Sequence, residues 1–264
     1  MRIVVPVKQT LDPRGITVRR DKERIFVNEE SYILESGSKA AIEAALRLME
    51  SDADAQVGSQ VVALCVGEPR ADDVLREALA MGCDAAYLLC DEAFKDVDIS
   101  ATVRILAAAI QKLEGFDLVI TGRASGDTGA GQTGPRLAEA LGLAQVTDVY
   151  ALAPQGGGLA AVRRWGNGYA TVTVELPAVI TVAPQAFPPR YPQGARIMSA
   201  YREWQVQQWA AGDLGLDQAA LTSLLTLRRQ GFPPPLPVGE QFQGDPAGVA
   251  QDVLAALRMQ KLAR

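Results

Sequence analysis

The sequence has 264 residues, of which 48% are hydrophobic, with a formal net charge of -5 and an isoelectric point near 5.0. These values predict one large globular domain or one domain with an appendage, and they argue against nucleic acid or an anionic membrane as a partner, since no basic patch dominates. No run of about 18 apolar residues occurs, so no transmembrane segment is expected. Histidine is absent from the sequence, which excludes His-based triads, His metal sites and imidazole acid–base chemistry.

The cysteines and the N-terminal residues indicate the cellular compartment in which the protein is expected. Cys65, Cys83 and Cys90 have no spacing typical of a metal site, and their number is odd. The sequence therefore predicts reduced thiols and a cytoplasmic protein. Residues 1–10 are interpreted as a strand and not as a signal peptide, because the apolar run is short and no cleavage site follows. Without histidine, a binding or cofactor-carrying role gains weight over catalysis.

Strands and helices alternate in the first half of the sequence. Short apolar runs predict buried parallel strands, and stretches with apolar residues on one helical face predict helices. The predicted strands are 3–7, 61–66, 85–89 and 118–120, and the predicted helices are 38–50, 72–81, 100–112 and one beginning near Pro135. This alternation is typical of an α/β fold with a doubly wound, mostly parallel sheet and right-handed crossovers, either Rossmann-like or like the adenine-nucleotide α-hydrolases.

Local features near the N-terminus add to this pattern. Pro6 lies within the first strand and cannot donate to a ladder, so we expect a local irregularity there. Residues 16–18 and 24–27 alternate around a polar turn and predict a small hairpin outside the main sheet. Ser36–Ser38 precede the first helix and offer an N-cap and free N–H groups.

The second half of the sequence changes to a strand-like period near Leu159. Residues 160–164 and 170–174 predict an added β-hairpin, and residues 178–182 predict a buried strand that extends the same core. We place the junction between the two sets of strands at Gly157.

The C-terminal part of the sequence is rich in proline. We expect an irregular segment at 183–204, a short helix within 205–230, an extended breaker at 232–235 and a last helix at 245–262. Residues 1–200 are thus expected to form an α/β nucleotide-binding domain and residues 201–264 a C-terminal arm. Such an arm either wraps a partner or packs on its own domain, and the sequence pattern leaves both open.

A glycine-rich loop follows the fourth predicted strand. The order of strand, loop and helix presents free backbone N–H groups and the positive end of a helix dipole to an anion. The glycines at 122, 126, 129, 131 and 134 let the backbone approach a ligand closely. The sequence therefore predicts a phosphate-binding loop, and a plain glycine-rich connection is the alternative.

Five motifs, in the right order along the chain, resemble the small β subunit of electron-transfer flavoproteins. They are Val4–Gln9, Ala41–Leu48, Leu79–Asp84, the loop residues Gly122-Arg123 with Asp127 and Gln132–Gly134, and Leu176–Thr181 with the later Pro189–Tyr191 and Ile197-Met198. The resemblance implies a heterodimer with a larger α subunit that carries the redox-active FAD and that the C-terminal arm contacts. It also implies an adenine nucleotide on the β subunit, which is AMP in most members and a second FAD in electron-bifurcating members.

Matching positions give the nucleotide contacts that the resemblance implies. They are Pro6, Ser36, Gly37, Ser38 and Val66, followed by Ser125, Gly126, Asp127, Thr128, Gly129, Ala130, Gly131, Gln132, Thr133 and Gly134. Arg123 would stabilise an anionic flavin or a phosphate, and a surface arginine without that role is the alternative. No metal and no catalytic side chain are expected, because the flavin carries the redox chemistry.

A further segment bears on the identity of the nucleotide. Asp91–Phe94, Asp98 and Ala101-Thr102 resemble a segment of the bifurcating subset that the AMP-binding members lack. The resemblance favours FAD, with AMP as the close second, and makes Asp98 and Thr102 polar anchors for a ribityl chain or a phosphate. A simple helix cap at Asp98 is the alternative.

Residues 183–204 resemble the segment through which the family docks its redox partners, here dehydrogenases or quinone reductases. Common members carry a leucine anchor there, and Phe187 is the apolar substitute in this sequence. The family's Asn-Pro pair before the first helix is replaced by Glu35 and Ser36, and the acidic run of its loop is reduced to Asp127.

The expected function is therefore electron transport between dehydrogenases or NADH and downstream acceptors, with electron bifurcation in a complex as the further option. An adenine-nucleotide hydrolase or ligase and a nucleotide-sensing module share this fold and stay as alternatives. A hydrolase would need Mg²⁺ ligands, for which the loop offers only Asp127.

Overall fold

The computed structural model describes residues 1–51, 58–228, 231–234 and 239–262. Within them the strands are β1 (Arg2–Val7), β2 (Gln9–Leu11), β3 (Ile16–Arg19), β4 (Arg24–Val27), β5 (Tyr32–Leu34), β6 (Gln60–Val66), β7 (Ala85–Leu89), β8 (Leu118–Gly122), β9 (Ala144–Gln155), β10 (Gly158–Trp165), β11 (Gly168–Glu175), β12 (Ala178–Val182) and β13 (Gln207–Trp209). The α-helices are α1 (Ser36–Ser51), α2 (Asp72–Met81), α3 (Ile99–Leu113), α4 (Thr133–Leu141), α5 (Gly194–Arg202) and α6 (Pro246–Met259).

The main sheet of the described residues has the strand order β11-β10-β9-β12-β8-β1-β6-β7-β13. From β9 to β13 in that order, every neighbouring pair is parallel, whereas β10 pairs antiparallel with both β9 and β11. The central strands β1, β8 and β12 are almost continuously buried and apolar, as parallel strands covered on both faces are. The predicted doubly wound, mostly parallel α/β fold is confirmed.

The helices cover the two faces of this sheet. Residues of α1 and α2 pack with Ile3 and Val5 in one hydrophobic cluster, and residues of α3 and α4 pack with Val4 in the other. Adjacent residues of β1 serve opposite clusters because side chains alternate along a strand. The chain runs from β1 through β6 to β7 and then crosses β1 to β8, so the strand order reverses between β1 and β8. Ligands of open α/β sheets bind at the carboxyl ends of the strands beside such a reversal.

The elements predicted in the first half are confirmed. The structure gives α2 and β7 the predicted bounds, and α1, α3, β6 and β8 extend slightly beyond theirs. The hairpin of β3 and β4 forms a separate two-stranded sheet, as expected. At Pro6, which lies opposite Leu64, β1 stays in register with β6, and β8 pairs with β1 only at Ile3 and Val4. The irregularity expected at Pro6 therefore does not shift the register.

The strand β9 is missing from the sequence prediction. In β9, Val146 and Val149 are buried, but the polar residues around them hide the strand period. The strand pairs parallel with β12 and antiparallel with β10, so it joins the two parts of the sheet. Gly157, predicted as the junction between the two sets of strands, lies in the tight turn between β9 and β10 with a φ of 82°, and the antiparallel pairing of the sheet begins there.

The segment 183–204, expected to be irregular, contains the helix α5. Arg196 fixes this helix to the end of α2: its Nη2 donates to Leu79 O at 2.9 Å and its Nε donates to Ala80 O at 3.2 Å. Ala200 of α5 is fully buried. The arginine therefore donates to the last carbonyl groups of α2, of which Leu79 O also accepts a hydrogen bond from Gly82 N.

The short helix expected within 205–230 does not occur in its described part, 205–228. This stretch instead contains β13 and a 3₁₀ turn at Gly212–Leu214, which ends at Gly215 with a φ of 65°. The last two residues of the prediction, and Pro235 of the breaker, lie outside the described residues.

The last predicted helix is confirmed as α6 with slightly narrower bounds. Asp245 caps it, accepting hydrogen bonds from Ala247 N and Gly248 N at 3.0 and 3.1 Å. No described side chain of α6 is buried, and Leu254 and Leu257 are 40% and 39% exposed. Of the helices in the described ranges, none has both the length and the apolar character needed to cross a bilayer.

Candidate functional site

The main cleft of the protein lies at the carboxyl ends of β1, β6, β7 and β8 and has a volume of about 950 Å³. One part of its wall is the loop between β8 and α4, and another part is residues 90–102, between β7 and α3. Pro6 and Val66 line the cleft, as does Gln208 of β13. The cleft therefore occupies the sheet edge at which a ligand site is expected.

The glycine-rich loop 122–134 has a defined backbone. Gly129 N donates to Ser125 O at 2.8 Å, and the hydroxyl groups of Ser125 and Thr128 lie 3.0 Å apart. Gly129 and Gly131 have φ values of 62° and 61°, in the left-handed region that favours glycine. These two glycines therefore suit the path that the loop takes along the cleft.

The loop ends at the exposed start of α4. Gln132 occupies the N-cap position, but its side chain accepts a hydrogen bond from Arg136 Nε at 2.9 Å and none from the first turn. Among the described residues, the first N–H groups of α4 thus have no side-chain acceptor, and the helix dipole makes this position favourable for an anion. Gly134 is required for packing, because a Cβ there would lie 2.3 Å from Thr181 Cγ2.

A carboxylate accepts hydrogen bonds at the start of α1. Glu35, which is 5% exposed, accepts hydrogen bonds from Ser38 N at 3.0 Å and from the Ser36 hydroxyl at 2.9 Å. Its Oε1 also accepts a hydrogen bond from Gly126 N at 3.2 Å. The free Ser38 N–H group expected from the sequence is therefore taken, and Glu35 ties the start of α1 to the glycine-rich loop.

Two glycines bring the start of α1 against the end of β8. A Cβ at Gly122 would lie 2.7 Å from the carbonyl carbon of Gly37. The Ser38 hydroxyl accepts a hydrogen bond from Lys8 N at 3.0 Å. Gly37 and Ser38 thus hold α1, β1 and β8 together at the cleft, and Ser38 also lines it.

An ion pair joins the loop to the end of β1. Lys8 Nζ lies 2.6 Å from Asp127 Oδ2, and both side chains are partly exposed. Burial raises the pKa of the Asp127 carboxyl, but hydrogen bonds from Lys8, Ser125 and Thr128 N lower it more, and the pKa lies below its usual value. The pair places a lysine ammonium group beside the glycine-rich loop.

Asp98 caps α3. Its Oδ1 accepts a hydrogen bond from Ala101 N at 2.9 Å, and its Oδ2 accepts hydrogen bonds from Leu224 N and Leu225 N at 2.8 and 2.9 Å. The structure therefore shows the helix cap, and a contact of Asp98 with a nucleotide stays a prediction. Thr102, predicted with it, lines the cleft.

Arg123 and Thr121 lie on either side of the end of β8. Arg123 lines the cleft, and its half-exposed side chain places Nε 3.5 Å from Asp148 Oδ1. Thr121 also lines the cleft and is 4% exposed, but its hydroxyl has no hydrogen-bond partner among the described residues. The structure thus brings a guanidinium group to the cleft and leaves one buried hydroxyl beside it unsatisfied.

The structure gathers most sequence-predicted residues at this cleft. Those that line it are Pro6, Ser38, Val66, Thr102, Arg123, Ser125, Thr128, Ala130, Gly131 and Thr133. The predicted residues that support this wall without lining the cleft are Ser36, Gly37, Asp98, Gly126, Asp127, Gly129, Gln132 and Gly134. The predicted set of contact residues omits Lys8, Glu35 and Thr121, which also line the cleft. Each lies at the end of a strand or directly before a helix on the carboxyl edge, which is the signal that could have found it.

The docking anchor expected at Phe187 is wrong. Phe187 is 6% exposed and packs in the hydrophobic cluster of α1 and α2. In the same segment, Tyr191 and Met198 are 89% and 51% exposed. A 3₁₀ turn that begins at Pro184 precedes Phe187, and Pro188 follows it. This local pattern does not reveal from the sequence that the ring turns inward.

The described residues contain no group of three or more His, Cys, Asp and Glu side chains arranged to hold a metal ion.

Together, the fold and the cleft define a doubly wound α/β protein with a cleft at the carboxyl edge of its sheet and an uncapped helix start suited to an anion.

Comparison with known proteins gives the family. A family model of the electron transfer flavoprotein domain matches residues 24–214. The electron-transfer flavoprotein β subunit of Thermoanaerobacterium thermosaccharolyticum is 35% identical over 84% of this chain and 83% of its own length. The caffeyl-CoA reductase–Etf complex subunit CarD of Acetobacterium woodii is 34% identical over 92% of this chain and 91% of its own length. The acryloyl-CoA reductase electron transfer subunit gamma of Anaerotignum propionicum is 33% identical over 99% of both chains.

The chain belongs to the electron-transfer flavoprotein family, because the family model covers most of it and these relatives, each more than 30% identical, match over 83–99% of their own length. The resemblance to the β subunits is confirmed. Electron transfer is the function of this family.

Proposed function

We propose that this chain is the β subunit of a heterodimeric electron-transfer flavoprotein and that its cleft binds an adenine nucleotide, with FAD favoured over AMP. The observation that carries the proposal is the uncapped start of α4, where Gly131 and Thr133 line the cleft. A phosphate there would accept hydrogen bonds from backbone N–H groups and interact with the helix dipole. Lys8 and Arg123 would add positive charge beside it.

The extent of the cleft supports FAD. Its volume of about 950 Å³ lies near the top of the usual range for small-molecule sites, about 300–1,000 Å³. Its lining includes Pro6, Val66 and the start of α4, and also Phe94 and Leu106 of the segment after β7 and of α3. AMP would occupy the part near the loop, whereas FAD would use the rest of the length as well.

Bound FAD would supply the redox chemistry, and this chain would hold and orient it. The backbone of the loop 122–134 would bind the phosphates, and Pro6 and Val66 would offer apolar contacts. Electrons would come from dehydrogenases or NADH and pass to downstream acceptors, with bifurcation in a complex as the further option. A cytoplasmic location belongs to the same proposal and agrees with the free thiols of Cys65, Cys83 and Cys90.

The α subunit is the proposed partner of the C-terminal arm, residues 201–264. The support is the surface of α6, where Leu254 and Leu257 lie on one face and are well exposed. Apolar side chains on one face of a helix are typical of a helix that packs against another surface.

Redox partners are proposed to dock on 183–204, with Tyr191 and Met198 as the apolar contacts in place of Phe187. Large exposed aromatic side chains commonly anchor such interfaces. Two relatives are named as subunits that work with caffeyl-CoA reductase and acryloyl-CoA reductase. A CoA-ester dehydrogenase or reductase is therefore the proposed partner class, with quinone reductases as the second class.

The nucleotide content of the heterodimer tests the proposal. We expect two FAD and no AMP per heterodimer after co-expression with the α subunit, denaturation and quantification of the released nucleotides. The variants Gly131→Asp and Gly131→Asn both tolerate the positive φ and differ mainly in charge. We expect Gly131→Asp to lose one nucleotide through repulsion of the phosphates and Gly131→Asn to keep it. One FAD with one AMP would reject FAD in this cleft, and equal nucleotide content in the two variants would reject the loop as the phosphate site.

A further inference from the structure

The chain after α5 returns to the main domain and crosses the outside of the cleft wall. We call residues 207–225 the strap. It begins with β13, which adds to the edge of the sheet beside β7, and Trp209 packs on Tyr87 with ring centroids 4.4 Å apart. Near its other end, Leu221 is 4% exposed and lies in the hydrophobic cluster of α3 and α4. The strap is therefore docked on the body at both ends.

Two aspartates of the cleft wall hold the strap. Asp91 Oδ2 accepts a hydrogen bond from Ala211 N at 2.9 Å. Asp98 Oδ2 accepts hydrogen bonds from Leu224 N and Leu225 N. These backbone hydrogen bonds lower the pKa of both carboxyl groups below its usual value, although burial raises that of Asp98. Both aspartates are therefore ionised at neutral pH, and hydrogen bonds to charged acceptors are the stronger kind.

Two cations of α3 hold the same segment from the helix side. Arg104 donates to Ala220 O and, at 2.7 Å, to Thr222 O. Lys112 Nζ donates to Asp213 O at 2.5 Å. The strap is thus bound through its backbone by charged side chains from both ends of α3 and from the loop before it.

The same two aspartates also fix the wall itself. Asp91 Oδ1 accepts a hydrogen bond from Ala93 N, and Asp98 Oδ1 accepts one from Ala101 N, both at 2.9 Å. Each carboxylate therefore uses one oxygen for the wall and the other for the strap. Asp91 lines the cleft as well, and the strap contributes Gln208 to it directly.

We propose that Asp91 and Asp98 are positioning residues that couple nucleotide binding in the cleft to docking of the strap. The proposal rests on the proposed function, because it concerns the same cleft. A nucleotide that orders the wall 90–102 would favour the docked strap, and the docked strap would raise nucleotide affinity by the same factor, as linkage requires.

Hydrogen exchange of the full-length chain tests the coupling from the strap side. Nucleotide is removed, and exchange of the amides of 210–226 is compared before and after addition of AMP or FAD. We expect slower exchange of Ala211, Leu224 and Leu225 in the presence of nucleotide. A strap that served only to stabilise the fold would show the same exchange in both states, and that result would overturn the proposal.

Affinity measurements test it from the cleft side. We expect Asp98→Ala to weaken nucleotide binding roughly fivefold or more and to abolish the nucleotide-dependent protection. Asp245→Ala is the control, because Asp245 also caps a helix, α6, with its side chain and does not line the cleft, and it should leave affinity unchanged.

A second variant separates coupling from the loss of the α3 cap. Leu221→Ala weakens the strap from its apolar side and leaves Asp98 and the cap intact. We expect it to speed exchange in the strap and to lower nucleotide affinity as well. Faster exchange with unchanged affinity would overturn the coupling. Absence of nucleotide binding in the unaltered chain would instead reject the proposed function, so the two failures are distinguishable.

Discussion

At the scale of single residues, the ion pair of Lys8 and Asp127 gives the clearest test of the anion site. We predict that Lys8→Gln lowers nucleotide affinity about tenfold and makes it less sensitive to salt, since a positive charge beside the phosphates is lost. Asp127→Asn removes the carboxylate charge, keeps an oxygen that can accept the hydrogen bond from Thr128 N, and frees Lys8. We therefore expect it to bind nucleotide at least as well as the unaltered chain.

Isothermal titration at two salt concentrations would measure both variants. The opposite signs of the two effects are the informative feature, because general damage to the loop would weaken binding in both. Equal losses of affinity would contradict a direct role of Lys8.

A second residue-scale prediction concerns Glu43, which is buried and accepts hydrogen bonds from Arg190 Nε at 2.8 Å and Arg47 Nε at 2.6 Å. Burial raises its pKa, but these arginines lower it more, and the pKa lies below its usual value. The folded state therefore binds this proton less readily than the unfolded state. The stability that Glu43 contributes is present above its unfolded pKa of about 4.3 and is lost as pH falls below it.

We predict that Glu43→Gln lowers the free energy of unfolding by about 1.5–3 kcal/mol at pH 7 and by less at pH 3.5. Urea unfolding at the two pH values would measure the difference. If the variant and the unaltered chain differ by the same free energy of unfolding at pH 7 and at pH 3.5, the arginine contacts do not lower the pKa of Glu43.

At the scale of elements, α4 packs very close to β12, and the absence of a side chain at Gly134 makes this close approach possible. We predict that Gly134→Ala destabilises the chain by about 1–3 kcal/mol, as overpacking does, because the new methyl group would collide with Thr181. Gly194→Ala is the control, since a Cβ at the start of α5 meets open space. Thermal unfolding of both variants would measure this, and equal stability would contradict the close packing of α4.

Elements with a strong local signal could be predicted from the sequence. The hydrophobic periodicity alone predicts the strands β1, β6 and β7 and the amphipathic helices α2 and α3. The glycine content predicts the loop between β8 and α4. The long strand β9 could not be predicted in this way, because it changes partners along its length and alternates weakly.

The sequence predicts where the site lies in the fold better than it predicts the contacts of individual side chains. The loop and the ends of β1 and β6 were placed correctly at the cleft. The roles of Glu35, Asp98 and Phe187 depend on segments distant in sequence: the loop at Gly126, the strap and the hydrophobic cluster under α1. Local pattern carries no information on such contacts.

At the scale of the whole molecule, the described part of α6 leaves its apolar face uncovered. We predict that the double variant Leu254→Asp and Leu257→Asp keeps the fold of the chain and weakens the heterodimer about 10- to 100-fold, as loss of two interface contacts worth over 1 kcal/mol each would. The control is Ala255→Asp with Met259→Asp, which adds the same charge at two exposed positions on the other side of the helix. Co-purification and size-exclusion chromatography with light scattering would measure assembly, and equal assembly of the two double variants would reject α6 as the contact.

The most direct test of the account is a crystal structure of the heterodimer with its native nucleotide. The account predicts phosphate oxygens within hydrogen-bond distance, about 2.7–3.2 Å, of backbone nitrogens in residues 131–134. A structure in which side chains fill this position, or in which the phosphates lie elsewhere, would contradict it.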